Sequence, residues 1–93
     1  MRIRFKLFGQ FRELAEQDEF EVDVAPGEGL LEALSILVRS HPELEGRVLG
    51  ETGFLNPYAV AFLNGRNTRT LGQSDLSLRE GDAVILIPTV GGG

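Results

Sequence analysis

An α+β fold, a mixed sheet with one main helix packed on one face, is predicted by three observations in this chain of 93 residues. Two segments near the N-terminus alternate apolar and charged residues with the period of a half-buried strand. A single stretch, Leu30 to Ser40, carries an apolar stripe at helical spacing. The last apolar run, Ala83 to Ile87, has no polar side and reads as an interior strand.

Taken in order, Arg2 to Phe8 opens with Ile3, Phe5 and Leu7 on one side and Arg2, Arg4 and Lys6 on the other. Phe8 breaks the pattern by setting an aromatic ring on the charged side. Gly9-Gln10 interrupts, and Phe11 to Ala15 reads as a short helical turn or loop. The second alternation follows, Phe20, Val22 and Val24 against Glu21 and Asp23. These two strands are expected to pair antiparallel. Ala25-Pro26-Gly27-Glu28-Gly29 ends the second strand and opens the helix, with Gly29 as N-cap and Glu32 placed well for the helix dipole. Leu30, Leu31, Leu34, Leu37 and Val38 form the stripe, Glu32, Ser35 and Arg39 the polar wedge, and His41-Pro42 the stop. Glu43 to Pro57 has no sustained period and is expected to be a crossing loop packed through Leu44, Val48, Leu49 and Phe54. Tyr58 to Leu63 is a third strand, closed by the hairpin-turn signal Asn64-Gly65. Arg66 to Leu78 is turn-rich, with room for one short edge strand. Glu80-Gly81-Asp82 launches the last strand. One helix must then cover one face of a sheet whose first and last strands lie adjacent and parallel at its centre, the arrangement called a β-grasp.

A chain of this size buries roughly two-thirds of the surface its unfolded form exposes, enough for one core without staples. It contains no cysteine, which excludes disulfides and thiol chemistry. Met1 to Leu14 carries charge throughout, and no apolar run reaches the ~18 residues of a spanning helix, so a cytoplasmic location without membrane contact is expected. A net charge of −5 argues against nucleic acid as a partner. Lys6 is the only lysine; the other eight cations are arginines.

Strands apolar on both sides belong in sheets covered twice. The third strand (Tyr58, Val60, Phe62 against Ala59, Ala61, Leu63) and the last (Val84, Leu86 against Ala83, Ile85, Ile87) are both of this kind. Either the loop 43–57 wraps the second face or that face binds another protein, and Phe8 on the charged side favours a partner. Gly27-Glu28-Gly29 lacks the third glycine of a dinucleotide fingerprint, Glu32 standing in its place, and is a turn with a glycine cap. His41 is the lone histidine and reads as a cation at a helix C-terminus. No nucleophile is paired with a base. The tail differs. Pro88-Thr89-Val90-Gly91-Gly92-Gly93 divides the chain into a domain, 1–88, and a flexible glycine-rich tail, 89–93. A terminal carboxylate becomes reactive once another enzyme converts it to an acyl-adenylate, and glycine threads a narrow channel in any backbone conformation. The plain alternative is a frayed terminus or a remnant of cloning.

With these residues the chain resembles the MoaD/ThiS-type ubiquitin-like sulfur carriers over essentially its whole length, and most closely the small subunit of molybdopterin synthase. Lys6-Leu7-Phe8-Gly9-Gln10-Phe11-Arg12-Glu13-Leu14 is similar to the segment after that family's first strand, and His41-Pro42-Glu43-Leu44 to its helix stop. Leu78 to Val84, Ile87-Pro88 and Gly92-Gly93 resemble its closing signature. The resemblance implies that the carboxylate of Gly93 is the reactive group. A ubiquitin-activating-type enzyme adenylates it with ATP, and sulfur supplied through a sulfurtransferase converts it to a thiocarboxylate. The molybdopterin synthase large subunit then receives the tail, Val90, Gly91 and Gly92 included, for sulfur donation to cyclic pyranopterin monophosphate. Phe8, Ile87 and Pro88 stand where the family meets its partners, and no cofactor or metal is bound by the chain itself.

Three departures are present. Thr89 replaces a frequent second proline, Gly91 adds a third glycine, and Arg66 to Ser77 is longer than in the shortest members. They leave the carrier class intact and the pathway open. Relatives with this ending serve tRNA thiolation, sulfur delivery for cysteine or other metabolites, and attachment to protein lysines. An interaction module with an incidental tail is the remaining alternative.

Overall fold

The first alternation becomes strand β1, Arg2–Leu7, with Ile3, Phe5 and Leu7 buried and Arg2, Arg4 and Lys6 exposed. The computed structural model describes residues 1–50, 54–71 and 76–89. Helix α1, Gly9–Ala15, follows and ends at Glu16 in the left-handed region. Then come β2, Glu19–Asp23, and helix α2, Leu30–Ser40. A 3-10 turn at Pro42–Leu44 leads through the loop to β3, Ala59–Leu63, and β4, Arg66–Asn67. A second 3-10 turn, Thr68–Thr70, precedes β5, Ala83–Pro88. The sheet order is β2-β1-β5-β3-β4. β1 and β5 are parallel neighbours at its centre and the other pairs are antiparallel. This is the β-grasp.

The core lies between α2 and one sheet face. Leu30, Ala33, Leu34 and Leu37 meet Ile3, Phe5, Leu7, Val22, Ala59, Ala61, Val84 and Leu86. Leu31 and Val38, counted in the predicted stripe, sit half-buried at its flanks, and Ala33 takes the central position. The N-cap of α2 is Gly29, with no side-chain cap. A Cβ there would stand 3.3 Å from the Leu76 carbonyl oxygen, so glycine permits the close backbone approach that bridges Gly29 to Ser77.

Three segments differ from the sequence expectation. The short turn expected at Phe11 is a seven-residue helix beginning at Gly9, and Phe11 is its one buried residue. The third strand begins at Ala59 rather than Tyr58, because Asn56 holds Tyr58 in a turn: its Oδ1 accepts from Tyr58 N at 2.8 Å and its carbonyl from Ala59 N at 2.9 Å. Phe54, expected to pack, is 58% exposed. The rest of that loop does pack, but on the helix side, where Leu44 and Val48 are fully buried. The described residues of the loop therefore do not wrap the second face. Val60, Phe62, Ile85 and Ile87 remain half-buried on the side away from α2, and no described residue covers them.

Arg69 ties the end of this loop to β3, its Nη2 donating to the carbonyls of Asn56 at 2.9 Å and Ala59 at 2.6 Å. Charge-assisted bonds of this kind contribute about 1.5–3 kcal/mol when well formed. Because Arg69 is exposed, the lower figure applies, and Arg69→Ala is expected to lower Tm by about 6–12 °C. An unchanged thermal melt would remove that role.

Candidate functional site

The chain leaves the sheet from its best-held strand. β5 is paired on both sides, to β1 through Leu86 and to β3 as far as Pro88, in register Ile87↔Val60 and Pro88↔Ala59. Thr89 N donates to the Tyr58 carbonyl at 2.9 Å, the last tether among the described residues. Pro88 has no N–H to donate, and the ladder does not need one. In this register its nitrogen faces the β1 side, where the chain has already turned into α1.

That turn places Gly9 against the proline ring. Gly9 has φ +56°, and a Cβ on it would lie 3.1 Å from Pro88 Cγ. The left-handed conformation alone costs a non-glycine residue about 1–2 kcal/mol. Gly9→Ala is therefore expected to lose about 1–2 kcal/mol in a denaturant melt, with the contact to Pro88 adding to it. A wild-type midpoint would show that the backbone adapts freely. Beside this contact, Gln10, Arg47, Asn56, Tyr58, Pro88 and Thr89 border a small cleft of about 150 Å³ at the root of the tail.

The outer sheet face next to this root is graded in character. Its β2 edge is acidic, with Glu19, Glu21 and Asp23. Opposite these in register stand Lys6, Arg4 and Arg2. Arg2 Nε lies 3.3 Å from Glu21 Oε2 and 3.6 Å from Asp23 Oδ1, pairs exposed enough to add little stability. The β5 and β3 half is apolar: Ile85, Ile87, Val60 and Phe62. Phe8, 37% exposed, borders it just beyond Leu7, and the Lys6 Nζ lies 5.4 Å from its ring centroid.

Of the residues singled out from the sequence, the structure thus brings Phe8, Ile87 and Pro88 to one end of the sheet. Val90, Gly91, Gly92 and Gly93 lie outside the described residues. Val60, Phe62 and Ile85 join the same face and were absent from the sequence-derived site. Their signal was the double apolarity of their strands, but only the register shows that they and Ile87 share a side. His41 caps α2, its N–H directed at the Leu37 and Val38 carbonyls and its Nδ1 3.7 Å from Glu43 Oε2. Among the described residues no group of three His, Asp or Glu side chains is placed to hold a metal ion, and no helix is long and apolar enough to cross a membrane. The arrangement holds Pro88 and Thr89 beside an apolar face, with no acid–base pair among the described residues.

Residues 5–93 match the ThiS family. Small archaeal modifier protein 1 of Haloferax volcanii is 35% identical over 91 residues, covering 98% of this chain and 100% of the relative. A crystal structure of that protein superimposes with a TM-score of 0.84 at 32% identity, both chains covered to 100%. A protein of Archaeoglobus fulgidus provisionally named a sulfur carrier is 40% identical over 47 residues, 50% of this chain and 53% of that one. A Pyrococcus furiosus structure provisionally assigned as molybdopterin converting factor subunit 1 gives a TM-score of 0.74 at 27% identity, covering 97% and 99% of the two chains.

Proposed function

Because the chain belongs to the ThiS family of ubiquitin-like sulfur carriers and modifiers, we propose that it carries sulfur on the carboxylate of Gly93 for molybdopterin biosynthesis. A carboxylate oxygen attacks the α-phosphorus of ATP in a ubiquitin-activating-type enzyme, and pyrophosphate leaves. A persulfide carried by a sulfurtransferase then attacks the acyl carbon, AMP leaves, and a thiol reductant cleaves the resulting acyl disulfide, leaving a thiocarboxylate. A molybdopterin synthase large subunit receives Val90 to Gly93 and passes the sulfur to cyclic pyranopterin monophosphate. ATP is used by the activating enzyme, no cofactor is bound by this chain, and the work is expected in the cytoplasm.

The observation that carries the reading is the held strand β5. It is paired through Pro88 and tethered at Thr89, immediately before the glycine-rich end and beside an uncovered apolar face. That combination suits presentation of a chain end to other enzymes. The family match runs to residue 93, so the glycine tail falls within it. The test is the intact mass of the chain produced with its activating enzyme and sulfurtransferase. The expected result is one oxygen replaced by one sulfur at Gly93, with molybdopterin formed once the large subunit and cyclic pyranopterin monophosphate are added. An unchanged mass would overturn it.

A second reading is favoured by the 35% identity over nearly the whole chain to a protein named as a modifier. Here the Gly93 acyl group is transferred to protein lysines. Covalent adducts recovered from cells, and lost on removal of Gly93, would select this reading over sulfur delivery.

A further inference from the structure

The chain has two primary amines, the α-amine of Met1 and the Nζ of Lys6, its only lysine. The structure treats them differently. The Met1 ammonium donates to the Val24 carbonyl at 2.6 Å in a partly buried position, and Val24 N donates back to the Met1 carbonyl at 2.7 Å. Acylation at Met1 would replace this charge-assisted bond with a weaker neutral one and would have to fit the incoming chain beside a partly buried pair. Lys6 is exposed on the outer face, in register between Glu19 on one side and Ile85 on the other. Its Nζ is in no ion pair among the described residues and rests over the Phe8 ring. It borders an open groove of about 700 Å³ whose walls include Arg4, Glu19, Glu21 and Ile85, space that admits a stretch of glycine backbone.

We propose that Lys6 is the acceptor for this protein's own activated C-terminus, and that the resulting isopeptide caps the docking face. The inference rests on the reading that Gly93 is adenylated, and extends it by naming the amine. The free-amine form of Lys6 attacks the carbonyl carbon of a second copy's acyl-adenylate. The C–N bond forms, the C–O bond to AMP breaks, AMP leaves, and the surplus proton on nitrogen passes to water. Nothing is oxidised or reduced. In the product the donor chain has no free carboxylate. The acceptor chain keeps one, but carries the donor across the face that holds Phe8, Ile85 and Ile87. The conjugate is therefore activated more slowly than the free chain, and modification at Lys6 withdraws much of the carrier from service.

The test incubates the wild-type chain with its activating enzyme and ATP, with pyrophosphate release recording activation. A species of two chains less one water is expected, its proteolytic map joining Gly93 to Lys6, and Lys6→Arg is expected to form none. The purified conjugate is expected to release pyrophosphate at least about tenfold more slowly than the monomer per free C-terminus, the scale of losing central contacts of an interface. Pyrophosphate release with no conjugate, or with the bond mapped to Met1, would overturn the assignment and leave the activation reading standing. No release from the wild type would overturn that reading itself. A conjugate activated at the monomer's rate would overturn the capping.

Discussion

Deletion of Gly93 is expected to abolish activation while leaving the melting curve unchanged. The variant still ends in two glycines, so the chemical character of the terminus is preserved and only its reach is altered. Reach is set from the last tether. Thr89 is held by its bond to the Tyr58 carbonyl, which leaves four residues, Val90 to Gly93, to carry the carboxylate outward. At about 3.3–3.6 Å per extended residue, four residues reach at most about 13–14 Å, and losing one shortens that limit by a quarter. A misplacement of only about 1 Å at a reacting atom costs about 10²-fold in rate, so the loss should be at least that large. The described core and sheet ladder end before the deleted residue, which is why stability is not expected to follow activity. ATP–pyrophosphate exchange against a thermal melt measures both. Exchange at the wild-type rate would mean that the terminal glycine pair, and not its distance from Thr89, is what the activating enzyme recognises.

The same contrast between patterned and unpatterned segments explains what the sequence made legible. β1, β2 and α2 bury one side each, and burial writes a period into the residues that supply it, whereas β5 was legible as an unbroken apolar run. Helix α1 escapes because it is short and anchors through one residue, Phe11; its start depends on Gly9 turning left-handed against Pro88, a contact made across the fold. The loop 43–57 escapes for a related reason. Leu44 and Val48 reach the core from irregular backbone, so nothing in their spacing tells which face they fill. That left two occupants for the second face, and the buried positions of those two residues removed one of them. The candidate site divides the same way. Phe8, Ile87 and the tail could be named from their resemblance to a family, whereas Val60, Phe62 and Ile85 needed the register, since a shift of one residue would send each to the other side.

That register leads to the second large effect. Ile87 is half-buried and central to the outer apolar half, between Val60 across the strand pair and the Phe8 end of β1. In an interface built on this half, an aspartate at 87 would bring an unpaired charge to the most desolvated point. Ile87→Asp should weaken capture by the activating enzyme by about 2 kcal/mol or more, about 30-fold in Kd. The folded chain should lose less, because the position is only partly covered and strand preferences span about 1 kcal/mol. Glu21→Gln, at the acidic edge of the same face, is the control and is expected to leave affinity nearly unchanged. The kinetic signature also separates the two regions. Removing a docking contact raises KM while kcat at saturation persists, whereas shortening the tail lowers kcat itself. Titration calorimetry and a saturation curve would read both, and wild-type affinity for Ile87→Asp would mean that partners approach the tail from the cleft at Gln10 and Asn56 instead. The face and the tail would then be separate devices; a raised KM with kcat intact would make them one.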